Sequence, residues 1–179
     1  DITVSVEDSV GCPRYVAVRI SGVKVGPSPE WLAERVVSVG SRSINNVVDA
    51  TNYILHAFGQ PVHAFDAAKL AKTAIVVRKA KVGETLVTLD GVERKLEPWM
   101  TIIADGERAS ALAGVMGGRG SEVTENTTEI LLEVALFNRL AGRKVRRELN
   151  ISTHARERVA RGGDVAPTAE SGEAPWGGG

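Results

Sequence analysis

Thr51, Asn52 and His63 are the residues of this chain whose types and spacing first point to chemistry. A hydroxyl, a carboxamide and an imidazole brought to one end of a helix can position a water for hydrolysis. Each also has an ordinary structural reading, since a lone histidine often packs or faces solvent, and threonine and asparagine inside a helix are commonly structural. Glu133 interrupts the apolar run ILLEVALF. Burying a carboxylate unpaired is costly, so Glu133 either faces solvent from a half-exposed strand or stands as a single acceptor on an apolar pocket wall. The latter arrangement would suit a ligand hydroxyl.

Ala111–Gly120 reads ALAGVMGGRG. It lacks the Lys-Ser or Lys-Thr of a P-loop and the strand–turn–helix setting of a dinucleotide fingerprint. Two readings stand: a bulge or tight corner, or a pocket wall whose bare backbone faces a ligand. Arg139, Arg143, Lys144, Arg146 and Arg147 gather positive charge without an acid among them. Such a run is a solvated helix face or a modest patch for phosphate contact. His56, His63 and His154 lack metal-ligand spacing, and the single cysteine cannot complete a zinc site, so no metal is expected. No Ser-His-Asp order or nucleophile elbow is legible.

These residues need elements to hold them. Val47, Thr51, Ile54 and Phe58 recur at helical spacing, with Val48 and Leu55 widening the stripe. Asn45 is suited to cap that helix and Gly59 to end it in the left-handed conformation. Pro61 stops the helix from resuming, which places His63 on a stiffened loop. A second helix is predicted after Pro27-Ser28-Pro29, capped by Ser28 and closed by Gly40, with Trp31, Leu32, Arg35, Val36 and Val39 on its buried side. Strands are predicted at Tyr15–Ile20, Ala74–Arg78, Met100–Ala104 and Glu129–Phe137. Leu86–Leu89 and Val92–Leu96 flank Asp90-Gly91, a two-residue hairpin signal. A closing helix falls near Arg139–Leu149, although Gly142 weakens it. The pattern is α+β, one domain of short-stranded mixed and antiparallel sheets with flanking helices.

The chain has 179 residues, 43% of them hydrophobic and 25% charged, with no net charge. That length can bury roughly two thirds of the unfolded surface in one core. Zero net charge argues against binding nucleic acid by bulk electrostatics and leaves a local patch as the only electrostatic route. Cys12 rules out an internal disulfide, fits a reducing compartment and is expected to be a partly buried small hydrophobe. No apolar run is long enough to span a membrane, and no secretory signal opens the chain. The absence of an initiator Met suggests a processed protein or an excised segment. Residues 1–11 read as a linker, 12–164 as the folded unit, and the Gly- and Pro-rich 165–179 as a disordered tail.

Seven stretches in order carry a resemblance: Cys12-Pro13-Arg14-Tyr15, GVKVGPSPEWL, INNVVDATNY, GQPVHAFD, TLDGVERKL, ALAGVMGG and ILLEVALF. Together they resemble the editing domain of the bacterial phenylalanyl-tRNA synthetase beta subunit, from about Cys12 to Asp164. The resemblance implies an ester hydrolase that removes tyrosine mistakenly attached to tRNA(Phe). It implies catalytic roles for Thr51, Asn52 and His63, a substrate-recognising Glu133, a glycine-rich wall at Ala113 and Gly114, and a far side at Thr153 and Ala155. It also implies a cytoplasmic protein whose partners are the tRNA(Phe) acceptor end, the other beta-subunit domains and the alpha subunit. Editing would need no cofactor, ATP and Mg belonging to other domains of the parent synthetase. The class II synthesis motifs are absent, so this chain would not charge tRNA alone. Ser43 stands where the family has proline, and Arg156, Val159, Ala160 and Gly163 depart from its pattern. Those departures leave open a non-catalytic module that contacts tRNA or supports the subunit through a degenerate site.

Overall fold

Residues expected to be a linker open the fold instead. In the computed structural model, which describes residues 2–72 and 74–152, Thr3–Val6 form strand β1 and pair in parallel with β4 (Ala74–Lys79). Asp8, just beyond β1, accepts from the Gly11 amide at 3.0 Å, the Thr101 hydroxyl at 2.6 Å and Lys79 Nζ at 2.8 Å. The sequence hides this anchor because β1 is only TVSV and largely exposed, so its alternation carries little signal.

Strand β2 (Arg14–Ser21) follows, then α1 (Glu30–Ser38), α2 (Asn46–Phe58) and β3 (Val62–Asp66). Beyond β4 come β5 (Thr85–Val87), β6 (Glu93–Lys95), β7 (Thr101–Ala104), β8 (Ala109–Leu112), β9 (Met116–Gly117), β10 (Glu129–Leu136) and α3 (Arg139–Glu148). Among the described residues the strands form three sheets, ordered β1-β4-β7-β8-β9, β2-β10-β3 and β5-β6. Every pairing except β1–β4 is antiparallel. The α+β expectation is met.

Helix α2 behaves as its spacing requires. The Asn45 side chain accepts from the Val47 and Val48 amides, and Gly59 closes the helix at φ 66°. Helix α1 differs at its start. Pro29 occupies the cap position without a side-chain bond, and the Ser28 hydroxyl donates to Asp49 at 2.5 Å. Asp49 is fully buried in α2 and also accepts from the Ser43 hydroxyl at 2.6 Å and the Ile44 amide at 2.9 Å. Ser28 is therefore recruited by a buried acid that needs donors rather than by its own helix. Ser43 supplies a hydroxyl that a proline could not.

The Asp90-Gly91 hairpin forms, but its loop has three residues. The Gly91 amide donates to Thr88 O, the Thr88 amide donates to Val92 O, and Gly91 adopts φ 80°. A type I turn followed by a left-handed glycine accounts for the geometry, and it turns Leu89 out of the ladder. The closing helix α3 is capped by Asn138, whose side chain accepts from Leu140 and Ala141.

The three-stranded and five-stranded sheets pack face to face. Phe65 and Leu131 from one meet Ile75, Val77, Ile103 and Ala111 from the other, all almost wholly buried, with Cys12 beside them. Each large side chain removed from water here contributes roughly 1.5–3 kcal/mol before entropy is counted. The outer face of the three-stranded sheet meets α2 through Val47, Ile130 and Ala64. The far side of the five-stranded sheet is covered by the β5–β6 hairpin and α3, where Leu86, Leu96 and Val145 join Ile102 and Leu112. The candidate chemistry lies where the inter-sheet core runs out.

Candidate active site

His63 is a strand residue, not a loop residue. It lies in β3, where the β10 ladder sets Glu133 directly opposite it, flanked by Leu131 opposite Phe65. Side chains alternate between the faces of a strand, so this register puts His63, Phe65, Leu131 and Glu133 on the face toward the other sheet. Directly paired residues sit roughly 4.5–5.5 Å apart at Cα. An imidazole and a carboxylate are thereby brought to one place by backbone pairing alone.

Both open onto one hollow at the end of the core. Its apolar wall includes Ile103, Leu112, Val115, Met116 and Phe137. Glu133 is only 6% exposed, and the Tyr15 hydroxyl donates to its Oε2 at 2.7 Å. Burial, then the charge of Glu133, pushes the Tyr15 phenol well above its ordinary range. The hydroxyl therefore keeps its proton and acts as a donor. The His63 ring packs edge-on against Phe65 with centroids 4.5 Å apart.

The glycine-rich segment forms the opposite wall. Gly114 adopts φ 67°, and a Cβ there would come 2.9 Å from Phe137 Cβ. Its carbonyl accepts from Arg146 Nη2 at 3.2 Å. Ala113 is buried in the inter-sheet core behind the hollow and does not line it. Of the amides near Gly114, that of Val115 is held by Leu112 O at 3.0 Å. Gly117 carries a tighter constraint. A Cβ there would lie 2.6 Å from His63 Cε1 and 2.8 Å from Nε2, closer than real side chains approach.

A second, larger hollow adjoins the first, sharing Val62, His63 and Leu89 with it. Thr51 and Asn52 face it from α2, with Arg42 and Ser43 on its rim. The Thr51 hydroxyl donates to Val48 O at 2.7 Å, so it is held by its own helix and can only accept from a ligand. Asn52 Nδ2 is buried and donates to no group among the described residues. An orphaned donor inside a cavity is costly and is satisfied when a ligand oxygen arrives. His63 thus stands between a small acid-bearing pocket and a larger one that carries Thr51 and Asn52.

The model of the B3/4 domain family matches residues 11–174 of this chain. The chain belongs to the B3/4 domain family. It is 52% identical over 164 residues to the phenylalanine–tRNA ligase beta subunit of Syntrophotalea carbinolica, and 53% identical over 164 residues to that of Geobacter sulfurreducens. Each alignment covers 92% of this chain and 20% of the relative, so the chain spans about a fifth of the proteins it matches. An N-terminal fragment of the phenylalanyl-tRNA synthetase beta subunit from Pyrococcus horikoshii shares the fold, with TM-score 0.57 and 15% identity. That likeness covers 79% of this chain and 45% of the fragment.

In this B3/4 domain the sequence candidates divide as follows. Thr51, Asn52 and His63 meet at the larger hollow, and His63, Gly114 and Glu133 meet at the smaller. Thr153 and Ala155 lie outside the described residues. Arg139, Arg143 and Arg147 are exposed on α3, Lys144 Nζ sits 4.2 Å above the Trp99 ring, and Arg146 turns inward to Gly114. Sequence reasoning missed Tyr15, Gly117, Leu89 and Arg42. The glycine cluster was the signal available for Gly117, and nothing local marks Tyr15, whose partner lies 118 residues away. Among the described residues no group of three His, Cys, Asp or Glu side chains gathers as metal ligands, and no helix is long and apolar enough to cross a membrane.

Proposed function

We propose that this B3/4 domain hydrolyses tyrosine esterified in error to tRNA(Phe). The observation that supports the reading is the pairing of His63 with Glu133 across β3 and β10, both opening onto one largely apolar hollow. A synthetic site for phenylalanine is apolar and cannot strongly reject a substrate that only adds a hydroxyl. A second site has to select for that hydroxyl. Glu133 in an apolar wall does so, because a phenylalanyl ring brings the desolvated acid no donor of its own and forgoes a bond worth about 1–3 kcal/mol.

The tyrosyl side chain enters the smaller hollow and the terminal nucleoside occupies the larger one, leaving the ester beside His63. Asn52 Nδ2 donates to the ester carbonyl or a ribose hydroxyl, and Thr51 accepts from the ribose. His63 orients the attacking water. An aminoacyl ester is activated, so placement supplies most of the acceleration, and a backbone amide near Gly114 receives the developing oxyanion. No cofactor enters this step. ATP and Mg serve synthesis in other domains of the parent ligase, and this chain does not charge tRNA alone. The exposed arginines of α3 contact the acceptor end of tRNA(Phe). The remaining beta-subunit domains and the alpha subunit complete the enzyme in the cytoplasm.

A non-catalytic, tRNA-contacting module is the second reading, favoured by the departures at Arg156, Val159 and Ala160. Deacylation of tyrosyl- and phenylalanyl-tRNA(Phe) separates the two. Hydrolysis faster on the tyrosyl ester, lost in His63→Ala with tRNA binding retained and made less selective in Glu133→Ala, is expected. Inactivity of the unmodified protein decides for the module, and equal rates on both esters remove Glu133 from its role.

A further inference from the structure

We propose that Tyr15 is a positioning residue for substrate selection, its hydroxyl holding the Glu133 carboxylate from behind so that the acid presents a fixed acceptor edge to the hollow. The inference rests on the hydrolytic reading above. Tyr15 lies in β2 opposite Ala135, while Glu133 pairs with Ala17. Tyr15 is thus the diagonal neighbour of Glu133 on the same sheet face, within reach of a long aromatic side chain. The bond is short, at 2.7 Å. Glu133 lines the hollow and Tyr15 does not, so the phenol acts through the acid rather than on a ligand.

The physical need for such a partner follows from the surroundings. A carboxylate that is 6% exposed among Ile103, Leu112, Val115 and Met116 has lost most of its water. The 2.7 Å bond from Tyr15 fixes the orientation of Glu133 Oε2 in advance, so an arriving hydroxyl need not turn the group. A carboxylate has about four acceptor positions, so the bond from Tyr15 still allows a second hydroxyl to donate to the same group. Because the Tyr15 phenol retains its proton, Glu133 remains an acceptor and the hollow selects for groups that donate. A ligand phenol satisfies that demand and a bare phenyl ring does not.

The test is Tyr15→Phe, which keeps the ring and deletes the hydroxyl. Two non-hydrolysable probes, adenosine carrying tyrosine or phenylalanine through a 3′-amide, are titrated calorimetrically against the chain and its variants. The unmodified chain is expected to prefer the tyrosyl probe. In Tyr15→Phe that preference is expected to fall roughly ten-fold or more, as for loss of a bond to a charged group, with phenylalanyl affinity nearly unchanged. On a Glu133→Ala background, Tyr15→Phe should leave the ratio where Glu133→Ala alone put it. Tyr15→Met removes the same hydroxyl from a side chain of different shape and gives an independent reading if Tyr15→Phe fails to fold. An unchanged or increased tyrosyl preference, or parallel weakening of both probes, overturns the Tyr15 assignment while leaving the hydrolytic reading in place. A wild-type chain that does not distinguish the probes overturns both.

Discussion

Replacing Gly117 with alanine tests whether the site depends on the placement of one imidazole. Gly117 has no positive φ to protect, so the substitution acts through space alone. The new methyl would lie 2.6 Å from His63 Cε1, 2.8 Å from Nε2 and 3.2 Å from Leu89 Cδ1. Carbon contacts are comfortable near 3.5–4.0 Å, so the imidazole has to retreat by roughly 1 Å or leave its rotamer. His63 cannot retreat with its backbone, because β3 is paired to β10 on both sides of it. A misplacement of that size beside a reacting ester costs about 10²-fold in rate. Overpacking of this kind costs about 1–3 kcal/mol of stability. Both figures are checked by deacylation of tyrosyl-tRNA(Phe) and by denaturant unfolding of the same preparation. The imidazole proton resonances of His63 should move, since the ring leaves its edge-on contact with Phe65. His63→Ala opens the space, so the double variant His63→Ala, Gly117→Ala should be no less stable than His63→Ala alone. Turnover within about three-fold of wild type, with His63 resonances unmoved, would refute the reasoning.

Two further outcomes follow from groups outside the hollows. Arg78 grips Glu84 with two bonds of 2.7 and 2.8 Å and holds its carboxyl below the ordinary value of 4.5, against the opposing effect of burial. A folded-state pKa below the unfolded one gives stability that is complete above the unfolded value and is lost as pH falls through the folded one. Glu84→Gln is therefore expected to lower stability by about 3 kcal/mol near neutrality and to flatten the acid limb, as read from urea unfolding across a pH series. Cys12 is fully buried, and burial, reinforced by the charge of Glu133, pushes its thiol up to about 11. At pH 8 it should resist a disulfide reagent in the native protein and react fully in denaturant; native-state reaction at the rate of a small thiol would contradict the burial.

Helices and short strands were legible because their signals are local. Asn45 and Gly59 bracket α2, and the apolar stripe between them is enough to define it. What could not be read was any assignment settled by a distant partner. VHAFD is short and carries His63 and Asp66, so it reads as a loop until β10, some seventy residues on, supplies its ladder. Ser28 looks like a cap until a buried acid in the next helix claims its hydroxyl. For the site, residue types told more than positions. Glu133 was recognisable because an acid in an apolar run demands an explanation, whereas Tyr15 was invisible because an apolar-flanked tyrosine demands none. Gly114 and Gly117 fell in one conspicuous cluster, yet only coordinates separate the glycine that needs a positive φ from the one that leaves room for an imidazole.

The distribution of the chemistry over two paired strands also explains how the site could be both small and exact in its geometry. Slipping β3 by one residue against β10 would turn His63 and Phe65 away from the inter-sheet core and bring Val62 and Ala64 to that face. The slip would remove Phe65, one of the most completely buried side chains, from its contacts with Ile75 and Leu131. Full burial of such a side chain is worth several times the thermal energy, so the register is enforced by packing that has no chemical role. The geometry of the candidate site is thereby made a by-product of core formation. His63 faces Glu133 because Phe65 must face Leu131, and a change that loosens that apolar pair should disturb the proposed hydrolysis without touching a polar atom.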